Sequence, residues 1–256
     1  MPLDADEVMR ATICAWERLV TALPGAWTRL DGGALGVVSG VDLPGFNGVW
    51  SDTAEVGPAA VAGLLDDVRA AGVPHCLQLR AGWPGDVARI AQERDLVRVD
   101  GEPIMVLEDD RELDGALAVP GLSLRELAPE EGPLHARIAA GGGVVGKEAP
   151  YRKFAAPEVL RTTGLRCYVG EVDGEPVTTA LGLVADGYVG IFCVATLPSH
   201  RRRGYGAAVT ARAARDGLDA GARKAWLSAS AAGYPVYRRL GFVAVEQRDF
   251  WEQAKA

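Results

Sequence analysis

The fold is decided by the stretch Val194-Ala195-Thr196-Leu197-Pro198-Ser199-His200-Arg201-Arg202-Arg203-Gly204-Tyr205-Gly206-Ala207-Ala208. An extended run ends at Pro198, a basic turn with two glycines follows, and a helical pattern then begins. The first backbone N–H groups of a helix lack partners inside the helix, and together with the helix dipole they attract an anion. Gly204 and Gly206 lack the side chains that would keep a pyrophosphate away from those N–H groups, and residues 201–203 add positive charge. The stretch therefore predicts a phosphate-binding turn between a strand and a helix.

Two other phosphate-binding patterns fit the chain less well. A dinucleotide-binding fingerprint needs a third glycine at the position where Val209 stands. The spacing from Gly141 to Gly146 and Lys147 matches a Walker-type loop, but Glu148 occupies the position that requires Ser or Thr. No predicted strand precedes that segment, so we reject the Walker-type interpretation.

A second motif follows a predicted strand at residues 225–230. It is Gly233-Tyr234-Pro235-Val236-Tyr237-Arg238-Arg239-Leu240-Gly241-Phe242, a short helical pattern that runs into Leu-Gly-Phe. Residues 201–206 resemble the R/Q-x-x-G-x-G/A motif of the GNAT superfamily of N-acetyltransferases, and the downstream stretch resembles the second signature of that family. The resemblance covers about residues 120–253. It implies the mixed α/β sheet of a GNAT fold in the C-terminal half.

The periodicity of the second half is consistent with that fold. Residues 122–251 predict the element order β-α-α-β-β-β-α-β-α-β. The three consecutive strands are joined by turns at Asp173-Gly174 and Asp186-Gly187, which favour an antiparallel meander.

The resemblance also implies acetyl-CoA as the acyl-donor cosubstrate, with no metal. It places the pyrophosphate on the backbone of Arg202, Arg203, Gly204, Tyr205, Gly206 and Ala207, beside the charge of Arg201. The pantetheine would follow the strand edge formed by Val194, Ala195 and Thr196. Ser230 stands where many members of the family carry a cofactor-contacting Asn, and the serine weakens that assignment.

Few catalytic groups are needed for acetyl transfer to an amine. A backbone N–H of the 194–196 strand can stabilise the developing oxyanion, and binding both reactants orients the attack. Tyr237 occupies the position of the tyrosine that, in the family, protonates the leaving thiolate, and Tyr234 is the second candidate. The family often places a glutamate on the central strand, but residues 189–196 contain no carboxylate. Glu148, Glu171 and Asp186 are candidates elsewhere in the chain, but each is better interpreted as a solvated surface charge, so we assign no general base.

The first half of the chain predicts a shorter version of the second. Its order of helix, hairpin, helix, strand, helix and strand pair resembles the degenerate GNAT-like domain that some tandem members carry. We predict two domains: residues 1–112, degenerate and without a cofactor site, and residues 120–256, catalytic, with a charged linker at 108–120. The connection at Phe46-Asn47-Gly48 is interpreted as a structural turn, although a role beside the substrate stays open.

Composition limits the classes of partner. Hydrophobic residues make up 48% of the chain, and the formal net charge is −7. This balance is typical of a globular protein and argues against nucleic-acid or anionic-membrane binding, which needs a basic face. The acidic opening lacks a signal-peptide pattern, and no apolar run approaches the ~20 residues that span a bilayer, so we expect a cytoplasmic protein. The cysteines are scattered and form no cluster with the histidines, so we expect buried, inert thiols and no metal site.

Three functions remain open. The first is acetylation of a primary amine on a small molecule, which the acidic charge favours. The second is acetylation of a protein lysine or N-terminus, which would need an open peptide groove. The third is a non-catalytic acyl-CoA sensor or scaffold. The sequence leaves both a monomer and a homodimer open.

Overall fold

The computed structural model describes residues 4–51, 53, 56–80, 87–143 and 148–253. The chain divides into two compact units. The first combines the residues up to Ile104 with those from Val245 onward, and the second spans Met105–Ala244. No helix in the described ranges is both long enough and apolar enough to cross a bilayer.

The helices and strands from residue 5 to residue 107 follow the order α1 (Ala5–Thr21), β1 (Trp27–Asp31), β2 (Ala34–Val38), β3 (Asn47–Ser51), α2 (Pro58–Ala70), β4 (Cys76–Arg80), α3 (Val87–Gln92), β5 (Leu96–Val99) and β6 (Ile104–Leu107). The remaining ones are α4 (Arg111–Leu117), β7 (Leu122–Glu126), α5 (Gly132–Gly142), α6 (Glu148–Phe154), α7 (Pro157–Leu160), β8 (Leu165–Val172), β9 (Glu175–Ala185), β10 (Tyr188–Thr196), α8 (Tyr205–Asp219), β11 (Lys224–Ser228), α9 (Tyr234–Arg239), β12 (Phe242–Glu246) and β13 (Arg248–Gln253).

The second unit is built on a seven-stranded sheet in the order β12-β6-β11-β10-β9-β8-β7. Strands β7 to β10 are antiparallel neighbours, and β10 is parallel to β11. The predicted meander is confirmed, and so are its turns. Asp173, Gly174, Asp186 and Gly187 all have positive φ, the conformation that two-residue hairpin turns require.

The first unit has a six-stranded sheet in the order β1-β2-β3-β4-β13-β5. Strands β1, β2 and β3 are antiparallel neighbours, β3 is parallel to β4, and β13 is antiparallel to both β4 and β5. The two sheets therefore share a pattern: an antiparallel run, a parallel pair, and a last strand separated from that pair by an inserted strand.

The inserted strands change the predicted organisation of the chain. The pattern predicted one final strand at 242–251, but β12 and β13 lie in different sheets. It also predicted that the strands around Asp100-Gly101 form a pair, but β5 and β6 lie in different sheets. The chain passes from the first compact unit to the second after Ile104 and returns to the first at Val245. Periodicity could not show this, because it predicts strands but not their pairing partners.

The predicted linker at 108–120 is partly helical. Helix α4 occupies Arg111–Leu117, and Leu113 on this helix is fully buried in the core of the second unit. Arg215 of α8 donates hydrogen bonds to the carboxylates of Asp110 and Asp114 at 3.0 and 2.9 Å. The acidic run therefore includes a packed, ion-paired helix.

The Phe46-Asn47-Gly48 connection is a structural junction. Asn47 is 0% exposed, and its Oδ1 accepts hydrogen bonds from the backbone and hydroxyl of Ser39 and from the Gly40 N–H. Its Nδ2 donates to three main-chain carbonyls, those of Val41, Leu43 and Pro74. A side chain so fully used is not available to a ligand, which favours the structural interpretation.

The inserted strand β6 should decide whether the second unit folds alone. Its four residues are each at most 2% exposed, and burying four such side chains contributes on the order of 6–12 kcal/mol. That equals the whole net stability of a typical domain. We expect a fragment of residues 104–246 to unfold cooperatively on heating, followed by circular dichroism, whereas a fragment of residues 120–256 should show no cooperative transition. Equal cooperativity of the two fragments would show that β6 is not needed for the second unit to fold.

Candidate active site

Strand β10 separates from β11 halfway along its length. Tyr188 to Ile191 pair with Lys224 to Leu227, and the pairing ends there. Beyond Ile191, β10 keeps its register with β9 alone, and this register shifts between Phe192 and Ala195. Cys193 has φ of +51° at this shift, which marks a β-bulge. The edge of β10 from Phe192 to Thr196 is thus left open on the side of β11.

The bulge is accessible from solvent although β10 is an inner strand. Tyr188 to Ile191 are buried, whereas Phe192, Cys193 and Val194 are all partly exposed. An inner strand covered by helices on both faces would normally be buried throughout. We call the partly exposed segment Phe192–Val194 the bulge opening.

The predicted phosphate-binding turn leads from the end of β10 into α8. Arg202 and Gly204 adopt positive φ of 61° and 87°, and Gly204 is the N-cap of α8. The first helical hydrogen bond in this turn runs from the Ala208 N–H to the Gly204 carbonyl. Within the described part of the chain, the N–H groups of residues 202–207 have no protein acceptor. Alternating backbone conformations of this kind form a concave nest that binds anions.

Close packing of Gly206 and Gly142 against Thr196 holds this turn beside the end of β10. A Cβ added to Gly206 would lie 3.3 Å from the Thr196 hydroxyl oxygen, and one added to Gly142 would lie 2.7 Å from the Thr196 carbonyl. The Thr196 hydroxyl also lies 2.8 Å from that of Thr178 on β9. The end of β10 is therefore clamped between the start of α8 and the end of α5.

Arg201 acts differently from its two neighbours. Its guanidinium donates to the Thr196 carbonyl at 3.2 Å and to the Gly142 carbonyl at 2.8 Å. The Gly142 carbonyl is one of the unpaired acceptors at the C-terminal end of α5, so a cation there is also favoured by the helix dipole. Arg202 and Arg203 are exposed. The sequence predicted that all three arginines add positive charge for the phosphates. In the structure, Arg201 instead links the end of β10 to the end of α5 through their carbonyls.

The other predicted cofactor and catalytic residues lie around one apolar cluster. Tyr237 belongs to the core that packs against Val194 and Ala207, which joins the bulge, the start of α8 and the start of α9. Tyr237 is 8% exposed and lies against Gly233, where an added Cβ would be 2.7 Å from its ring. The Ser230 hydroxyl accepts from the Gly233 N–H at 3.2 Å, so Ser230 shapes the entry to α9.

The opposite face of the bulge carries groups that the sequence analysis did not single out as a site. Cys193 packs against α5 and against Tyr151 of α6. Desolvation by the surrounding atoms raises the pKa of the Cys193 thiol to about 12, and burial with the nearby thiol raises the pKa of Tyr151 to about 12. Both groups stay protonated at neutral pH. Positive φ at a non-glycine residue can be seen only in a structure, so no sequence pattern could have pointed to Cys193.

His135 on α5 is a buried neutral base. It is 0% exposed, and its Nδ1 lies 2.7 Å from the Thr179 hydroxyl oxygen. That hydroxyl donates its own proton to the Tyr168 carbonyl, so Nδ1–H of His135 must be the donor to Thr179. Nε2 then carries a lone pair, and it has no hydrogen-bond partner in the described residues. Burial lowers the pKa of His135 to about 4.

The carboxylates considered as a general base are otherwise engaged. Glu148 accepts from Arg152 at 2.7 Å, and Glu171 lies 3.0 Å from Arg125. Asp186 forms the turn between β9 and β10. The glycine-rich segment at 141–146 is described only to Gly143. Its remaining residues, like the Walker-type match at Gly146 and Lys147, lie outside the described residues.

His135 should make the stability of the protein depend on pH. Its pKa of about 4 in the folded state lies below the reference value of 6.5, so the unfolded chain binds the extra proton first. The contribution of His135 to the free energy of unfolding is fully present above pH 6.5. It decreases by on the order of 3 kcal/mol as the pH drops towards 4. We expect His135→Gln to flatten that part of the stability profile, measured by urea unfolding between pH 4 and 7. His200→Gln, at a partly exposed histidine, is the control and should keep the wild-type slope.

Comparison with known proteins agrees with this geometry. Residues 130–242 match the family model described as the acetyltransferase (GNAT) family. A GCN5-related N-acetyltransferase from Kribbella flavida shares 23% sequence identity, with 98% of this chain and 96% of that chain covered and a TM-score of 0.70. No curated protein sequence gives a significant match.

Two further structures share the fold over the whole chain. A tandem GNAT protein from the clavulanic acid biosynthesis pathway covers 100% of this chain and 98% of its own, at 16% identity and a TM-score of 0.59. A GCN5-related N-acetyltransferase from Sphaerobacter thermophilus covers 100% and 95%, at 19% identity and a TM-score of 0.58. The family implies transfer of an acyl group from acyl-CoA. Residues 130–242 therefore form a domain of the GNAT acetyltransferase family, within a chain that has the tandem GNAT fold along its whole length.

Proposed function

We propose that the second unit transfers an acetyl group from acetyl-CoA to a primary amine of a small molecule, by direct attack while both reactants are bound. One observation carries the proposal. Six consecutive backbone N–H groups, at residues 202–207, have no acceptor among the described residues, and they follow a strand whose edge is open from Phe192 to Thr196. A diphosphate fits the first feature, and an extended amide-containing chain fits the second.

Two parts of acetyl-CoA, the pyrophosphate and the pantetheine, match the nest and the open edge of β10. The N–H groups of the nest would hold the pyrophosphate, with Arg202 and Arg203 adding exposed positive charge. Gly206 leaves room between the helix start and Thr196, and a side chain there would press against the end of β10, beside the proposed path of the donor. The open edge of β10 offers backbone donors and acceptors to the pantetheine amides, in the manner of an added strand.

In the proposed reaction, backbone N–H groups at the bulge stabilise the negative charge that develops on the thioester oxygen. Because β10 is unpaired towards β11 beyond Ile191, N–H groups of residues 192–196 on that side can donate to a thioester oxygen. A donor aimed at the developing oxyanion is typically worth about 3–4 kcal/mol of barrier. Tyr237, the proposed acid, belongs to the core cluster against which Val194 of the bulge packs.

We propose that the first unit does not bind acetyl-CoA. Its α2 occupies the same place in the element order as α8, after the strand that starts the parallel pair. Helix α2 begins with Pro58 at its first position, after the N-cap Gly57. Proline has no N–H, so this helix start offers one donor fewer than the start of α8. Acetylation of a protein amine and simple acyl-CoA sensing are alternatives that the experiments below separate.

Blocking the nest should abolish donor binding. In Gly206→Val the added side chain would meet Thr196 and push the start of α8 away from β10, so we expect acetyl-CoA affinity to fall at least about tenfold in calorimetric titration. Gly63→Val on α2 is the matched control, because a Cβ there meets nothing within 4 Å. Valine has a higher helix propensity than glycine, so both variants should fold. Wild-type affinity in Gly206→Val would contradict the proposed donor site.

Removing the phenol of Tyr237 should separate binding from catalysis. If Tyr237 protonates the leaving thiolate, Tyr237→Phe should lower kcat on the order of a hundredfold and leave acetyl-CoA affinity unchanged. Tyr234→Phe, on the same short helix, serves as the control and should retain turnover. Measurement of free thiol release gives kcat, and calorimetry gives the affinity. Unchanged turnover in Tyr237→Phe would exclude Tyr237 as the acid, and donor binding without turnover in the wild type would favour a sensor.

A further inference from the structure

We propose that Phe192 limits the length of the acyl group that the donor carries, so that short acyl chains bind and longer ones gain nothing. The limit lies in the gap between β10 and β11 that opens beyond the Ile191–Leu227 pair, which we call the split. The proposal rests on the proposed function, in which the thioester oxygen lies against the open N–H groups of β10. It adds the residues that close the acyl end of that site.

An acyl tail bound in this way points towards the closed end of the split. The nest follows Thr196 in the chain, so the pantetheine runs along the edge of β10 from Thr196 towards Phe192. The three substituents of a carbonyl carbon lie in one plane. When the oxygen is turned towards β10, the sulfur and the tail therefore point in opposite directions along the strand. The tail extends towards Ile191, the last residue of β10 that pairs with β11.

The protein core closes one face of the sheet at this end. Ile191 and Leu227 form the last pair between the two strands and are 3% and 1% exposed. They belong to the same buried cluster as Val209 of α8, so their side chains lie on the face that α8 covers. A tail cannot enter a close-packed core without displacing its side chains.

The other face is closed by Phe192, whose ring is folded back over Gly190. A Cβ added to Gly190 would lie 2.8 Å from the Phe192 ring and 2.7 Å from the ring of Trp226, its partner on β11. The two ring centroids are 5.3 Å apart and the ring planes meet at 84°, an edge-to-face arrangement. Because residue 190 has no side chain, the phenyl ring can lie over the paired strands and against an indole that is 2% exposed. The ring is thereby fixed directly at the closed end of the split.

A longer acyl chain has two routes past this end, and neither increases affinity. It can displace the Phe192 ring from Trp226, which breaks an aromatic contact worth about two- to tenfold in equilibrium terms. It can instead turn out to solvent past the partly exposed bulge opening, where its methylenes stay in water. The acyl site of the wild-type protein is therefore matched to a short chain.

The test measures affinities of the full-length protein for free CoA, acetyl-CoA, butyryl-CoA and hexanoyl-CoA by calorimetric titration. We expect neither longer acyl-CoA to bind the wild type more tightly than acetyl-CoA does. In Phe192→Ala the space above Gly190 is vacated, and each methylene that becomes buried there contributes about fourfold. Butyryl-CoA should then bind at least about fivefold more tightly than acetyl-CoA. The affinity for free CoA should stay within about twofold of the wild type, since the nest and the backbone edge hold the rest of the donor.

Two further variants separate the acyl limit from a loss of structure. Phe192→Leu keeps a smaller apolar side chain at the closed end and should give an intermediate preference for butyryl-CoA. Phe250→Ala removes the same ring from β13 in the other sheet and should keep the wild-type order of affinities. Thermal unfolding of each variant shows whether the fold is retained, and Phe192→Leu decides the test if Phe192→Ala does not fold.

The outcomes distinguish the acyl limit from the proposed function. Wild-type affinity that rises with chain length, or the wild-type order of affinities in folded Phe192→Ala, would overturn the limit and leave the donor site standing. An equal loss of affinity for free CoA and for every acyl-CoA in Phe192→Ala would also overturn it, because Phe192 would then support the whole donor site. Absence of binding of free CoA and of all three acyl-CoAs to the wild type would remove the proposed function, and the acyl limit with it.

Discussion

The parting of β10 from β11 after Ile191 is the constraint on which the site depends. A continuous parallel pair would use every N–H and carbonyl of β10 and would leave no edge inside the sheet. Because the pairing stops, the last five residues of β10 keep one edge free, and the bulge at Cys193 turns that edge into an accessible opening. The free edge begins at this point, β10 leads from it into the turn at the start of α8, and Val194 of the bulge packs against the core cluster that contains Tyr237. The chemistry that we propose needs all three together.

The same architecture appears in both units with different consequences. Each sheet contains a parallel pair followed by a strand contributed from elsewhere in the chain, β6 in one and β13 in the other. In the second unit the turn after the first strand of the pair contains Gly204 in a left-handed conformation and a helix start with free donors. In the first unit the helix starts with Pro58. Its inner strand is fixed at Asn47 by hydrogen bonds to its own backbone surroundings. Similar folds can thus differ in function through the residues at one helix start.

Local sequence chemistry predicted the backbone turns better than it predicted the assembly of the chain. The Arg-x-x-Gly-x-Gly turn and the Asp-Gly turns impose backbone conformations that few residues adopt, so their positions could be predicted from single residues. The partners of β6 and β13 could not, because strand pairing over more than a hundred residues leaves no local pattern. Cys193 shows the same limit within the site. Its positive φ follows from a bulge that depends on the register with β9.

Arg201 shows why charge alone is an incomplete guide to such a turn. Three consecutive arginines suggest three phosphate contacts, yet Arg201 is bonded to the carbonyls of Thr196 and Gly142. Those carbonyls end the strand that carries the bulge and the helix that covers its opposite face. The guanidinium therefore links the end of β10 to the end of α5. Since the proposed nest is made of backbone N–H groups, a diphosphate would not need all three arginines, and we attribute the proposed binding more to the geometry of the turn than to its charge.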